Sequence, residues 1–271
     1  GDLPEHLAHR RRGDPSKRGE MAEVGGTSLA RALNPWDLSP LALLGGFFAV
    51  RGGIYVWDNL VERLVDLSGA KKLPTRAKEI KPDLQPKLDL TSYVYLFINA
   101  INELIFVMNI TYFMWHNPLV KLRAAELTPL NTFPAMWVIF LVQDAVYAPA
   151  HRFMHWRPVY PYVHKHHHRA IYPSRGYADA ANEHPLEHVL GVACAWAGIF
   201  AAAYTTGVHA ATLFVFFNIH AALAMLNHSA FDVEFSLLGF HYSVKAHEMH
   251  HRKFTTNYAQ YFMFWDRLMG T

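Results

Sequence analysis

The sequence contains five apolar runs separated by polar or proline-rich stretches, at residues 41–57, 90–115, 132–150, 186–206 and 208–226. A helix needs about 20 apolar residues to cross a hydrocarbon core about 30 Å thick, and the last four runs approach or exceed that length. The first run is shorter and carries an arginine and two glycine pairs, so it fits either a marginal spanning helix or an interfacial one. The pattern predicts an all-α integral membrane protein with about four transmembrane helices.

Changes in polarity divide the chain into three parts. Residues 1–34 are polar and include a run of three arginines, so we predict a flexible basic tail. Residues 35–89 hold the first apolar run and then a lysine- and proline-rich connector, in which each proline disfavours helix at the residue before it. Residues 90–271 hold the other apolar runs and most of the histidines, and we expect them to form the catalytic part.

The composition agrees with a membrane protein. Charged residues make up 17% of the chain, against about 25% in soluble domains, and aromatic residues, which favour membrane interfaces, make up 14%. The formal net charge is only +3 and no long basic stripe occurs, so we expect no nucleic-acid partner. Cys194 is the only cysteine, which excludes zinc fingers and iron–sulfur clusters.

Eight of the 18 histidines fall into three clusters with helical spacing. Residues three and four apart on a helix share a face, so each cluster is expected to present its imidazoles to one point. Neutral imidazole is a common ligand of zinc, iron and copper, and two metals need about eight to ten ligands. The sequence therefore predicts a two-metal centre. The clusters are His151 with His155, His164 with His167 and His168, and His247 with His250 and His251.

The order of the apolar runs places these clusters on one side of the membrane. Residues 151–168 follow directly after the run at 132–150. The next two runs form a pair that leaves this side and returns to it, so His184, His228 and the last cluster should lie on the same side. One histidine-rich site can then receive ligands from all of them.

The clusters and their surroundings resemble the fatty acid hydroxylase superfamily, which includes integral-membrane sterol desaturases, sterol C-4 methyl oxidases and sphingolipid hydroxylases. The similarity covers roughly residues 132–271. It rests on the three clusters together with D-x3-Y-x3-H-R-x2-H from Asp144, N-E-H-P-L-E from Asn182, N-H-S from Asn227 and K-A-H-E-M-H-H-R from Lys245.

The resemblance implies a non-haem dimetal enzyme that uses O2 to hydroxylate or desaturate a sterol, fatty acyl or sphingolipid substrate. Its cofactors would be two Fe ions, with zinc able to replace them in a purified sample. We expect an external electron donor, such as cytochrome b5 or a ferredoxin with its reductase. The metal site would face the cytosol, in the endoplasmic reticulum of a eukaryote or the inner membrane of a bacterium.

The resemblance also assigns metal ligands one by one. The eight cluster histidines match ligands, His228 matches the ligand of the N-H-S motif, and His184 matches the histidine before proline as a tenth ligand. Some members carry another histidine four residues before the N-H-S one, where this chain has Ala224. His220, one turn further back, is the alternative tenth ligand.

Carboxylates near these histidines have two possible roles. Asp144 precedes His151 by seven residues on the same helical face, so it either orients an imidazole or serves as a packing residue. Glu187 and Asp179 are weaker candidates for the first role. Glu103 lies in an apolar run, where a carboxylate must be paired or face the protein interior, and we expect a packing role for it.

Two other functions fit part of the pattern. A membrane metal carrier also uses histidines on helices, but its ligands should be distributed across the depth of the membrane. A redox-neutral cleavage of a lipid or aldehyde would use the same metals as an oxygenase, and the residues alone do not separate these two reactions.

Overall fold

A computed structural model describes residues 37–74 and 86–271 of the chain. The predicted basic tail and most of the predicted connector lie outside these residues. The described part is mainly helical, which confirms the all-α prediction. In chain order the helices are α1 (Pro40–Leu67), α2 (Leu90–His116), α3 (Phe133–Met154), α4 (Tyr160–Val163), α5 (Tyr177–Ala180), α6 (Pro185–Thr205), α7 (Ala210–Asn227), α8 (Val244–Lys253) and α9 (Phe264–Met269).

Five of these helices are long and apolar enough to cross a membrane: α1, α2, α3, α6 and α7. Four of them correspond to the four longer apolar runs. The fifth is α1, whose spanning character the sequence left open. The helix extends ten residues beyond the end of the apolar run at Trp57 and reaches 28 residues, which is long enough for a full crossing.

Short elements connect the long helices. One-turn 3-10 helices occupy Ala124–Glu126 and His167–Arg169. Strand β1 (Val120–Lys121) pairs in parallel with β2 (Val208–His209), and β3 (Glu234–Leu237) forms an antiparallel hairpin with β4 (Phe240–Ser243). The turn between α6 and α7 depends on Gly207, whose φ of +66° is a conformation that favours glycine.

The start of each long helix has a local cause in the sequence. Ser39 and Asp89 accept backbone N–H groups of the first turns of α1 and α2, which satisfies donors that a helix leaves free at its N-terminus. Imidazole nitrogens replace the usual capping oxygens at two other helices. His184 Nδ1 accepts from Leu186 N at α6, and His209 Nδ1 accepts from Ala211 N at α7.

Helices α3 and α6 run in opposite directions in close contact. Gly198 of α6 lies against the backbone of Ile139 in α3, and a Cβ atom at Gly198 would stand only 2.4 Å from the Ile139 carbonyl oxygen. The absence of a side chain therefore allows the two helix backbones to touch. This contact brings the C-terminal end of α3, which carries His151, beside the N-terminal end of α6, which carries Glu187.

Candidate metal centre

The structure gathers nine of the ten predicted ligands into two groups at one end of the long helices. Within each group, one possible ligand atom from each residue lies within 4.8 Å of the others. Chain segments that are up to 100 residues apart in sequence meet here. The five-histidine group contains His151, His155, His164, His168 and His250, and the four-histidine group contains His167, His228, His247 and His251.

Each H-x2-H-H triplet is divided between the two groups. His164 and His168 belong to the five-histidine group, whereas His167 belongs to the other. The second triplet does the reverse, since only its middle member, His250, joins the five-histidine group. Successive residues of a helix point about 100° apart, so the adjacent histidines of a triplet diverge while the pair four apart converges. The expectation that each cluster presents its imidazoles to one point was therefore wrong for the two triplets, whereas His151 and His155 do lie in one group.

The imidazole rings are oriented by hydrogen bonds at Nδ1. A carbonyl or carboxylate oxygen can only accept, so each such bond requires an Nδ1–H and leaves the Nε2 lone pair available to a metal. Five of the nine rings make this bond. The pairs are His151 with Tyr258 O at 2.9 Å, His250 with Thr256 O at 2.8 Å, His251 with Ala170 O at 3.1 Å, His228 with Ala224 O at 2.9 Å and His164 with Glu187 Oε1 at 2.6 Å.

The Nε2 atoms of these rings face one another at short range. Two Nε2 lone pairs this close repel unless a cation lies between them. Ligand nitrogens about 2.0–2.1 Å from one metal are about 2.9–3.4 Å apart, and the observed separations fall in that range. They are His151–His164 at 3.0 Å, His164–His168 at 2.9 Å, His168–His250 at 3.1 Å, His155–His250 at 3.2 Å, His167–His228 at 3.3 Å, His228–His247 at 3.2 Å and His247–His251 at 3.1 Å.

Burial favours the neutral, metal-binding form of imidazoles in both histidine groups. Removal from water lowers the pKa of His155 to about 3, and burial together with the nearby His228 lowers the pKa of His167 to about 3. Burial is also the main reason that the pKa of His164, like that of His250, is well below its usual value. The donor set therefore fits two imidazole-bound metals.

Glu187 is the carboxylate in direct contact with the centre. Its Oε1 accepts from His164 Nδ1, while its buried Oε2 has no hydrogen-bond partner among the described residues. His167 Nδ1 is likewise unpartnered there, and His167, Glu183 and Glu187 each offer one atom within 4.8 Å of the others. Glu187 thus lies next to one ligand of each group. Sequence reasoning ranked it below Asp144, although it stands three residues after His184 in the quoted N-E-H-P-L-E motif.

Asp144 makes no hydrogen bond to an imidazole among the described residues. Its carboxylate accepts the backbone N–H groups of Gln260 at 2.7 Å, Tyr261 at 3.1 Å and Phe262 at 2.7 Å. These bonds fix the segment whose Tyr258 carbonyl orients His151, so Asp144 supports His151 indirectly.

Two other carboxylates hold loops rather than imidazoles. Asp266 accepts from Tyr258 N at 2.7 Å and Ala259 N at 3.0 Å, so it supports the same C-terminal segment as Asp144. Sequence reasoning missed it because an aspartate in a terminal aromatic stretch carries no distinctive spacing. Asp179 pairs with Arg175 and accepts Arg175 N, which closes the loop before α5.

The structure does not bring either candidate for a tenth ligand to the two groups. His184 uses Nδ1 to cap α6 and packs its ring against Tyr95, with centroids 5.2 Å apart. His220 is bound to the Tyr261 hydroxyl at 2.7 Å and approaches Gln143 Nε2 at 3.3 Å. Both rings are therefore engaged elsewhere in the fold.

The chain is similar to known methylsterol monooxygenases. Two methylsterol monooxygenases of Aspergillus fumigatus are each 31% identical to it, over 150 residues (51% of this chain and 50% of the relative) and over 175 residues (61% and 57%). Methylsterol monooxygenase 1 of Gallus gallus is 32% identical over 135 residues, 48% of this chain and 43% of the relative. The chain thus spans about half the length of these relatives. No solved structure matches it significantly.

The matching region coincides with the histidine-bearing part of the fold. Residues 136–271 match the family described as fatty acid hydroxylase. These residues include most of α3, all later helices and every histidine of the two groups. The chain therefore belongs to the fatty acid hydroxylase family.

Proposed function

We propose that this protein is a membrane-bound oxygenase that hydroxylates or desaturates a C–H bond of a lipid at two histidine-bound irons. The observation that carries the proposal is the convergence of nine Nε2-directed imidazoles in two adjoining groups. Five of these rings are fixed by Nδ1 bonds that select the metal-binding tautomer. An all-imidazole set of this size suits metal chemistry.

The five-histidine group would hold one iron and the four-histidine group the other. When bound, the irons supply the activation of O2 and the oxidation of the C–H bond. Hydroxylation takes a lipid C–H, O2, two electrons and two protons to an alcohol and water. The chain contributes ligation, buried surroundings that exclude water, and Glu187, which keeps His164 oriented. The electrons would come from a donor such as cytochrome b5 or a ferredoxin with its reductase.

A sterol-like lipid is the substrate class that we favour, because the relatives named above are methylsterol monooxygenases. We place the metal centre on the cytosolic side of a multi-pass membrane protein, where soluble or membrane-bound electron donors can reach it. The membrane would be the endoplasmic reticulum in a eukaryote and the inner membrane in a bacterium. Lateral entry from the bilayer fits the exposed apolar faces of α1 and α2.

The test uses the full chain in lipid nanodiscs, loaded with Fe(II) and supplied with O2, a reductant and a panel of methylated sterols, fatty acids and ceramides. We expect mass changes of about +16 for hydroxylation or −2 for desaturation in one lipid class, and close to two metals per chain. A matched sample of His250→Ala should give neither product. Absence of oxidised product across the panel with the iron-loaded native chain would contradict the proposal.

Metal transport receives no comparable support. A conduction path needs ligands along the depth of the membrane, whereas both histidine groups in the described part of the chain lie at one end of the long helices. The carboxylate Glu103 within α2 is bound to Arg51 and to the Tyr177 hydroxyl, so it belongs to a packing contact.

A further inference from the structure

The segment that begins α6 places two carboxylates beside the metal centre. Glu183 lies two residues before the helix and Glu187 lies in its first turn. The buried side-chain amide of Asn99, on α2, donates to the carbonyl oxygens of Ala181 at 3.0 Å and Glu183 at 2.9 Å. The backbone that carries the two carboxylates is therefore attached to a neighbouring helix by bonds that involve no metal ligand.

Only one oxygen of Glu187 is used in the described part of the chain. Oε1 accepts from His164 Nδ1 at 2.6 Å, and both side chains are almost fully buried. Oε2 is also buried and has no hydrogen-bond partner among the described residues. A carboxylate can accept hydrogen bonds at both oxygens, and an unpaired buried oxygen is costly. Oε2 therefore requires a donor.

His167 has the complementary requirement. Its Nε2 lies 3.3 Å from His228 Nε2 and so points into the four-histidine group. When Nε2 of a neutral imidazole binds a metal, the proton is on Nδ1. His167 Nδ1 is buried and has no partner within residues 37–74 and 86–271. A buried donor and a buried acceptor thus both lack a partner at the same end of the molecule.

These two groups are close enough to satisfy each other. His167, Glu183 and Glu187 each offer one atom within 4.8 Å of the others, a separation that one water molecule can bridge. Glu183 is already engaged, since its Oε1 pairs with His188 Nδ1 at 2.9 Å. Its side chain is also more exposed than that of Glu187, at 18% against 4%. Glu187 is therefore the better acceptor for His167.

A carboxylate in this position would act on both metal ions. Neutral imidazoles add no charge, so a set of nine leaves the charge of two ions uncompensated, and like charges close together in a buried site repel strongly. A carboxylate that accepts from a ligating imidazole offsets part of this charge and makes the ligand more basic. One carboxylate with an oxygen for a ligand of each group would stabilise both ions.

We propose that Glu187 is a positioning residue shared by the two metal sites. Its Oε1 holds His164 of the five-histidine group, and its Oε2 accepts the Nδ1–H of His167 of the four-histidine group, directly or across one water molecule. This inference rests on the two-metal centre of the proposed function, because it names a residue that sets the affinity of both sites.

The test measures metal binding without turnover. The full chain is stripped of metal, kept in detergent or nanodiscs, and titrated with Co(II) against a competing chelator. Native mass spectrometry counts the ions in each chain, and the ligand-field absorption bands report the coordination of the bound Co(II). The proteins are the native chain, Glu187→Gln, Glu187→Ala and the matched control Glu183→Gln. Circular dichroism of the metal-free forms establishes that each variant is folded.

Glutamine separates the two roles because its amide has one acceptor oxygen and one donor nitrogen. In either orientation of the amide, one of the two imidazole N–H groups loses its acceptor. Glu187→Gln should therefore weaken one site by about 10–100-fold, and chains with a single Co(II) should accumulate. Glu187→Ala should weaken both sites by this factor. Glu183→Gln keeps an oxygen for His188 and should bind both ions nearly as tightly as the native chain.

The absorption bands distinguish positioning of ligands from a role in packing alone. The bands of one Co(II) should change in Glu187→Gln and those of both ions in Glu187→Ala, whereas a packing role would leave them as in the native chain. Native affinities and native bands in Glu187→Gln would overturn the inference, because Oε2 would then have no role. Weakening of one site by Glu183→Gln to the same extent as by Glu187→Gln would also overturn it, because Glu183 would then be the acceptor for His167.

Failure of the proposed function would look different. If the variants bind Co(II) as expected but the iron-loaded native chain oxidises no lipid, the role of Glu187 stands and the oxygenase proposal fails. If lipid is oxidised and Glu187→Ala binds both ions as the native chain does, the oxygenase proposal stands and the role assigned to Glu187 is wrong.

Discussion

The histidine core and the α1 side of the molecule are stabilised in different ways. In the core, imidazoles bond to backbone carbonyls of distant segments, as His151 does to Tyr258. The α1 helix is attached by a few polar contacts, including the Arg51–Glu103 ion pair and the bond from the Trp57 indole to Asn218 O. The difference teaches that the geometry of the histidine groups depends on buried backbone, whereas the position of α1 depends on a few side chains that can change independently. Substitutions at the contacts of α1 should therefore change stability while sparing the metal content of the histidine groups.

The largest effect is expected from removing one ligand of each group. His250→Ala and His167→Ala should each lower lipid oxidation by more than about 100-fold, since even residues that only support a metal ligand contribute about 10–100-fold. Metal analysis and product yield in nanodiscs provide the measurement. His116→Ala is the control, because His116 stacks on Tyr112 at the far end of α2. Substantial activity in either ligand variant would refute a shared two-metal centre.

Asp144→Ala should weaken the core without touching a ligand. It leaves three backbone N–H groups, those of residues 260–262, without their acceptor, and each buried orphan costs about 1–3 kcal/mol. We expect the unfolding free energy to fall by about 3 kcal/mol or more, and metal affinity to fall about tenfold because His151 loses its support. Chemical denaturation and competition with a chelator measure the two quantities. Glu126→Ala, which removes a 31% exposed carboxylate paired with Arg123, serves for comparison. Unchanged metal affinity in Asp144→Ala would contradict the link to His151.

Gly198→Ala tests the contact that aligns α3 with α6. The added methyl group would stand 2.4 Å from the Ile139 carbonyl oxygen, so the helices must separate, at a cost of about 1–3 kcal/mol. The matched control is Gly191→Ala in the same helix, where an added Cβ meets nothing within 4 Å. There alanine should be neutral or stabilising by up to about 1 kcal/mol. Thermal unfolding of the pair measures the difference, and equal behaviour would argue against a tight contact.

Tyr177→Phe should give the smallest effect and should spare the metal. It removes the hydroxyl that joins Arg51 to Glu103, a contribution of about 1 kcal/mol, or about fivefold in an equilibrium constant. We expect the free energy of unfolding to fall by about 1 kcal/mol, measured by chemical denaturation, with unchanged iron content. Tyr204→Phe, at a position that is 73% exposed, is the control. Loss of iron in Tyr177→Phe would show that the two sides are not independent.

Helix positions were predictable from the sequence because apolar length is a strong signal for membrane helices. The convergence of nine histidines was also predictable. The pair of helices α6 and α7 leaves one side of the membrane and returns to it, so the histidines before and after this pair lie on the same side. The division of each triplet between two groups was not, because spacing on one helix does not show where a second helix supplies partners. That information lies in tertiary contacts, such as the meeting of His250 with His168 at 3.1 Å.

The roles of single polar residues were the least accessible to sequence reasoning. His184 shares a motif with family ligands, yet its ring caps α6, and a cap and a ligand have the same sequence signature. Asp144 had the spacing of a residue that contacts His151, but its carboxylate turns to the C-terminal segment more than 100 residues later in the chain. For Asp144, only the folded path of that segment distinguishes a contact with His151 from a contact with the segment itself.

The exchange of triplet members between the two groups has a consequence for assembly of the cofactor. The backbone turn that presents His167 to one group presents His168 to the other, and the pair His250 and His251 does the same. A metal bound in one group therefore orders backbone that also positions histidines of the other group. The second ion then has less conformational freedom to remove, which is a source of positive cooperativity. We expect apo protein titrated with Co(II) to pass from empty to doubly loaded with little singly loaded intermediate. The two ions would then bind together and be lost together.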